Sequence, residues 1–304
     1  MKVMVFDVGG TEIKYSVMDE QMNRFDSGSV PTPQDTLAHF LDTIYALYAP
    51  HKDEVDGIAM ALPGFVDANT GYVSNGGALL YNTGTQVGQL VRERCGCRVT
   101  LENDGKAAAI AELRAGALQG CCNAAVFIIG TGVGGGIIAN GQLVRGMHFT
   151  AGEYSFVNTN ADEWENTEKT MACQCSTHNL LLWYLARKGL PEDAPMNGRI
   201  FFDAANAGEP EALEVLARFC KAVAVQIYNL TVLLDVEKVA IGGGISRQPI
   251  LLEGVRSAYA GLFASRGDMP YMKGLPRCEI VPCAFSAEAN QVGALYAYLR
   301  AFHS

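Results

Sequence analysis

Apolar and polar positions alternate in a way that sorts most of the chain into strands and helices. An apolar run closed by Asp7, a Gly-Gly-Thr turn and a second alternating run to Asp19 predict strand, tight turn, strand. Residues 36–49 (TLAHFLDTIYALYA) carry apolar positions at helical spacing. The pattern returns to strand over 55–75, with Pro63-Gly64 and Asn69-Thr70-Gly71 as turn signals. Residues 84–96 read as an amphipathic helix, 97–104 as a strand ending in acid, and 105–118 as an alanine-rich helix.

A second cycle begins at 124, where strand, glycine turn and strand repeat the opening design through 144. Between about 146 and 180 the pattern is irregular and polar, and an irregular stretch of that length in a compact domain tends to be functional. Helices are predicted over 176–188 and 208–234. A third strand, in EKVAIGGGISRQ (237–248), runs into glycines, and 286–300 reads as a last helix with small residues at its start. The internal echo implies two related halves, each with its own sheet, and hence two lobes with a ligand cleft between them.

With 304 residues and 49% hydrophobic positions, the chain can bury a sizeable core in one large or two moderate domains. Its 33 glycines sit in short clusters without a period, so they mark tight turns and close backbone approaches. The net charge of −9 repels phosphate backbones, which argues against nucleic-acid binding; otherwise it keeps a protein in solution. The start, MKVMVFDVGG, lacks the hydrophobic length of a signal peptide, and no later stretch reads as the roughly 18 apolar residues of a membrane span. A cytoplasmic protein with no membrane partner is therefore expected. Nine cysteines, an odd number scattered along such a chain, read as reduced thiols, with Cys95, Cys97, Cys121 and Cys122 as small hydrophobes.

Three glycine turns and one acid carry the candidate chemistry. In DVGGT (7–11), glycines free backbone amides to face an anion and the Thr11 hydroxyl adds a donor, while Asp7 could hold a divalent cation on the same phosphates. The alternative is an ordinary hairpin with an acidic rim. GTGVGGG (130–136) lacks the Gly-Lys-Ser/Thr of a Walker loop and is followed by a strand, so it is neither a P-loop nor a dinucleotide fingerprint. It reads as a second glycine hairpin whose amides approach a phosphate. IGGGIS (241–246) suits a flat nucleoside against backbone. Asp104, between an apolar strand and a helix, is either a helix cap or a base taking a proton from an attacking hydroxyl.

Four of these segments, DVGGTEIK (7–14), ENDGKAAA (102–109), GTGVGGGII (130–138) and GGGIS (242–246), resemble in order and spacing the ROK (repressor, open reading frame, kinase) family of sugar kinases. RGMHFTAGE (145–153) is similar to that family's sugar-binding loop. The resemblance implies an α/β, actin-like ATPase (ribonuclease H-like) fold of two lobes with a central cleft. The small lobe would be residues 1–115 completed by a C-terminal helix at about 287–304, and the large lobe 116–286. It implies ATP, Mg2+ and transfer of the γ-phosphate to a hydroxyl of a hexose or β-glucoside, at C6, with Asp104 as base.

By motif position the resemblance makes Asn103, Glu153, Gly76 and Gly77 sugar-facing. Asp7, Gly9, Gly10, Thr11, Lys14, Gly130, Thr131, Gly132 and Gly134 would lie at the phosphates, Asp7 acting on Mg2+ indirectly. Gly242, Gly243 and Gly244 would lie at the nucleoside. Lys106 departs from the small or amide residue usual at its position, and it could neighbour the site or face solvent.

MACQCSTHNL (171–180) raises the question of zinc, which many members hold through one histidine and three cysteines. Here Phe156 stands for the histidine, Cys173 and Cys175 keep two cysteines, Ser176 replaces a glycine and Leu180 replaces the third cysteine. His178 and the more distant His148 do not make up four ligands, so zinc is expected to be absent. Leu182 likewise replaces a sugar-contacting glutamate, and the pattern comes closer to the β-glucoside kinase-like branch. Kinases for N-acetylmannosamine or glucose and a catalytically weak sugar sensor remain as alternatives. A repressor would need a helix-turn-helix ahead of the first glycine turn, and a homodimer is expected from the family alone.

Overall fold

A computed structural model describes residues 1–303 of the chain, which divide into two compact units. Unit 1 comprises 1–115, 143–151 and 287–304, and unit 2 comprises 116–142 and 152–286.

Unit 1 begins with β1 (Lys2–Val8), β2 (Glu12–Asp19) and β3 (Arg24–Pro31), then α1 (Leu37–Tyr48), β4 (Gly57–Leu62) and the short pair β5 (Phe65–Val66) and β6 (Val73–Asn75). The helix α2 (Val87–Cys95), the strand β7 (Arg98–Asn103) and α3 (Asp104–Ala115) follow. The main sheet has the order β3-β2-β1-β4-β7, antiparallel across β3, β2 and β1 and parallel from β1 through β4 to β7. Alternation decides its two faces: Met4, Phe6, Ile58, Met60, Val99 and Leu101 pack with Phe40, Ile44 and Val91 of α1 and α2. The intervening Val3, Val5, Ala59 and Ala61 are also fully buried, as expected of parallel strands covered on both faces.

Unit 2 holds β8 (Ala124–Ile129), β9 (Val133–Ala139) and β10 (Gln142–Leu143), then α4 (Met171–Cys175), α5 (Thr177–Arg187), α6 (Gly198–Asn206) and α7 (Pro210–Leu234). It ends with β11 (Lys238–Gly242), α8 (Pro249–Ala264) and β12 (Glu279–Pro282). Its sheet has the order β10-β9-β8-β11-β12, so each unit joins a hairpin to parallel strands in the same sequence. Phe127, Ile129, Val239 and Ile241 pack with Phe201, Phe202, Phe219 and Val255 from the helices, each such fully buried side chain contributing about 1.5–3 kcal/mol.

The last helix, α9 (Ala289–Phe302), returns to unit 1 and lies on β1, β4, β7 and α3. It meets α3 so closely that a Cβ on Gly293 would stand 1.8 Å from the Ala107 carbonyl oxygen.

The expectation that no segment reaches membrane-spanning length needs correction. By length and composition α7, with 25 residues, does so. Half of its apolar window is buried in unit 2, with Val215, Phe219, Val223 and Ile227 in the core, which is how the core helix of a globular unit passes the same test. The irregular stretch from 146 resolves into three short 3-10 turns before α4. Edge strand β3 escaped the pattern because six of its eight residues are exposed, and α6 and α8 were not foreseen either.

Candidate active site

Parallel strands align their carboxyl ends, and in unit 1 that edge gathers most of the candidate residues. Asp7 lies opposite Lys14 across the β1–β2 hairpin and opposite Ala61 on β4, while Leu62 at the end of β4 faces Asn103 at the end of β7. The Gly9–Thr11 turn is held from one side. Gly9 N donates to Glu12 O at 2.9 Å, Thr32 Oγ1 donates to Gly9 O at 2.8 Å, and Gln34 Nε2 donates to Gly10 O at 2.6 Å. Among the described residues nothing accepts from the Gly10 or Thr11 amide, so both remain available to an anion.

Asp7 is buried, and Asn290 Nδ2 from α9 donates to its Oδ1 at 2.9 Å. Burial raises its pKa above the usual carboxylate range, opposed by the Asn290 hydrogen bond and the positive charge of Lys14. A desolvated carboxylate of this kind fits a neighbouring divalent cation, whose charge would offset the burial.

Asp104 opens α3, yet the helix is capped by its neighbour. Asn103 Oδ1 accepts the Lys106 amide at 3.0 Å, so the cap reading of Asp104 passes to Asn103. Asn103 Nδ2 donates to Asp104 Oδ1 at 3.0 Å and to Gly64 O at 2.9 Å, and Gly105 N donates to the same Asp104 oxygen at 2.7 Å. These donors fix the orientation of the Asp104 carboxylate. They also occupy both Asn103 amide hydrogens, leaving Oδ1 with one lone pair for a ligand.

Gly64 brings the Gly76–Gly77 loop to the same place. At its φ of +91° a Cβ would lie 2.0 Å from Asn75 O, so only glycine permits the approach. Gly77 N donates to Asn75 Oδ1 at 2.8 Å and Gly76 N to Thr83 Oγ1 at 3.0 Å, which sets the loop. Lys106 does not face solvent. It is fully buried within α3, which closes that alternative.

Unit 2 places its glycine loops on the carboxyl edge of its own sheet. Gly130 N donates to Gly132 O at 2.9 Å, Thr177 N at the start of α5 donates to Gly130 O at 2.8 Å, and Ser155 Oγ donates to Val133 O at 2.7 Å. Gly243, at φ +96°, brings its loop against Ile129 O at a distance no side chain would allow. The glycines separate into two kinds. A Cβ on Gly242 would strike Ile128 and Cys283, whereas Gly130, Gly132 and Gly244 have nothing nearer than 3.4 Å. Gly134 lies within β9, paired with Ile128.

Two of these open glycines, Gly130 and Gly244, border a cavity of about 560 Å³ lined also by Thr131, His178, Phe202 and Gln248 among others. That volume and the unfilled backbone cradle suit a nucleoside with its phosphates. Glu153 lies at the start of the 3-10 turn Tyr154–Phe156 in unit 2.

Cys173 and Cys175 lie on α4, where Cys175 is fully buried in the apolar core and burial pushes its thiol up to about 12. Leu180 fills the same core, Phe156 is exposed, and His178 lines the cavity beside the Gly130 loop. No group of three or more His, Cys, Asp or Glu among the described residues is placed to hold a metal ion.

Sequence reasoning missed Asn290, Gly64, Ser155 and the pair Glu102–Arg145. Gly64 had a local signal in its Pro-Gly turn, and Glu102 and Arg145 open two of the quoted segments, but nothing local pairs them.

A sequence model of the ROK family matches residues 3–300. The chain is 29% identical over 261 residues to a beta-glucoside kinase of Klebsiella pneumoniae, covering 86% of this chain and 87% of that protein. It is 30% identical over 264 residues to an N-acetyl-D-glucosamine kinase of Vibrio atlanticus, covering 82% and 86%. The crystal structure of a ROK family protein from Streptococcus pneumoniae in complex with sucrose superposes with a TM-score of 0.86 at 29% identity, over 99% of each chain.

Proposed function

This chain belongs to the ROK family and has its actin-like ATPase fold, and from that premise we propose that it is an ATP-dependent sugar kinase with Asp104 as base. The acceptor is the C6 hydroxyl of a hexose or β-glucoside. The observation that carries this reading is the Asp104 carboxylate, held by Gly105 N and Asn103 Nδ2 at the carboxyl edge of the unit 1 sheet.

Phosphoryl transfer asks the protein mainly for positioning and charge neutralisation. Asp104 takes the proton from the acceptor hydroxyl as that oxygen attacks. In unit 1, Asn103, Gly76 and Gly77 bind and orient the sugar. In unit 1 the Gly10 and Thr11 amides suit phosphate oxygens, with Lys14 beside Asp7; in unit 2 the loop Gly130–Gly132 offers a backbone cradle of the same kind. The 560 Å³ cavity beside Gly244 takes the nucleoside. MgATP supplies the γ-phosphoryl group and a cation that offsets its negative charge, with Asp7 as the residue that would hold that cation.

The β-glucoside preference is supported by the Klebsiella pneumoniae relative, and the N-acetyl-D-glucosamine kinase relative favours a second reading, an N-acetylhexosamine acceptor. We further propose a cytoplasmic, zinc-free homodimer. Val157, Val232 and Leu233 are exposed apolar side chains around one cavity of unit 2 that such pairing could cover.

An ADP-release assay across cellobiose and other β-glucosides, glucose, mannose, N-acetylmannosamine and N-acetylglucosamine tests the proposal. The highest kcat/KM is expected on a β-glucoside. Turnover stimulated by no sugar would replace the kinase with a sugar sensor.

A further inference from the structure

Glu102, next to last in β7, has no exposed surface, so its carboxylate needs compensation. Both oxygens are engaged. Oε1 accepts the Asn103 backbone amide at 3.1 Å, and Oε2 accepts Arg145 Nη2 at 2.5 Å.

Arg145 belongs to the segment 143–151, which leaves the unit 2 sheet and groups with unit 1. That segment closes on itself, since Ala151 N donates to Arg145 O at 3.1 Å. Inside the loop Met147 and His148 are exposed, and Phe149 sits at φ +59°, a left-handed conformation that a bulky residue adopts only when its surroundings hold it there. Two residues past the closure comes Glu153.

The ion pair thus joins two stretches far apart in sequence, both used by the kinase reading. One is the segment that leads into Glu153. The other is Asn103, whose side chain caps α3 and orients Asp104.

We infer that Arg145 is a positioning residue for the sugar, acting through Glu102 on Asn103 and Asp104 and through its own loop on the approach to Glu153. The inference rests on the kinase reading. With Arg145 gone, the buried carboxylate must take up a proton or turn towards water, and either change loosens its hold on the Asn103 amide. The 145–151 loop loses its anchor at the same time. Nucleotide residues on the glycine loops of unit 2 are untouched, so the effect should fall on the sugar and not on ATP.

The test uses the full chain as Arg145→Met, Arg145→Lys and the double variant Glu102→Gln/Arg145→Met. The double variant removes both charges and keeps an acceptor for the Asn103 amide. For Arg145→Met, kcat/KM for the best sugar is expected to fall about a hundredfold, the loss typical of a small misplacement of reacting groups. KM for ATP should stay within about threefold of wild type. Arg145→Lys should recover to within about tenfold of wild type, because an ammonium restores charge without the guanidinium fork. The double variant should regain melting temperature without regaining sugar KM, which a merely structural bridge would not do.

Hydrogen exchange reads the tether without turnover. In Arg145→Met the amides of Asn103 and of 143–151 should exchange at least about tenfold faster while those of 57–62 do not change. If wild type phosphorylates a sugar and a folded Arg145→Met matches it in kcat and KM, the positioning role is wrong and the kinase reading stands. If wild type acts on no sugar, the kinase reading fails. Exchange then decides, unchanged protection at Asn103 and 143–151 overturning the tether and faster exchange supporting it.

Discussion

Gly293→Ala should destabilise the protein, although glycine to alanine in an exposed helix interior gains up to about 1 kcal/mol. Gly293 is buried in α9 against α3. An alanine Cβ there would lie 1.8 Å from Ala107 O, 2.3 Å from Ala107 C and 2.8 Å from Ala107 Cα. All three are backbone atoms of a helix, so no side-chain rotation relieves the clash. Ordinary contact begins near 3.4 Å, so the helices must part by roughly 1.6 Å.

A gap of about 0.5–1 Å already forfeits a quarter to a half of the dispersion energy of each facing pair. Along this seam Ala107, Ala108, Ala111, Ala294 and Leu295 are all buried. Overpacking at such sites costs about 1–3 kcal/mol, and with nothing able to yield, about 3 kcal/mol net is expected here. At about 2–4 °C per kcal/mol, the melting temperature should drop by about 6–12 °C, read by thermal melts monitored by circular dichroism. Because α3 starts at Asp104 and α9 carries Asn290, sugar-stimulated turnover should fall as well. A melting temperature at or above wild type would refute the packing argument and leave propensity as the controlling term.

Asp104→Asn should lower kcat by about 10²–10⁴ while the melting temperature stays within about 2 °C, since an amide oxygen can still accept from Gly105 N. Turnover within tenfold of wild type would remove Asp104 as the base. Asp7 makes a pH prediction. Its native pKa is raised mainly by burial, so its contribution to stability is greatest below the unfolded carboxylate value of 3.8 and declines as pH rises through the native one. Asp7→Asn should therefore be more stable than the ligand-free wild type at pH 7, with the gap closing near pH 4. Urea midpoints showing a constant or reversed gap would contradict the burial argument. Chelation should leave the melting temperature unchanged and elemental analysis should find no zinc, because Cys175 is a protonated core thiol. One zinc per chain would overturn that reading.

Much of this fold was legible because its signals are local. Strand periodicity, the glycine clusters at 9–10, 130–136 and 242–244, and the alanine-rich helix after Asp104 each act within a few residues. Those same signals carried the family resemblance that the match over 3–300 establishes. β3 was missed because it is mostly exposed and polar. α6 and α8 were missed although each opens on a helix-start signal, an Asn197 cap and Pro249 in the first turn. The apolar character of α7 was misjudged, though its extent was not, since a helix scattered with charges can still average as apolar.

The candidate site divides along the same line. The chain by itself determined which residue types stand at the strand ends and which turns can expose their amides, because backbone freedom at glycine and the period of a strand are properties of neighbouring residues. Sheet register and helix packing decided the rest. They brought Asn290 from the last helix onto Asp7, moved the α3 cap from Asp104 to Asn103, buried Lys106 and Cys175, turned His178 toward the glycine-loop cavity and joined Arg145 to Glu102. Each of those outcomes depends on which distant segment a strand or helix meets, and only the tertiary structure supplies that neighbour.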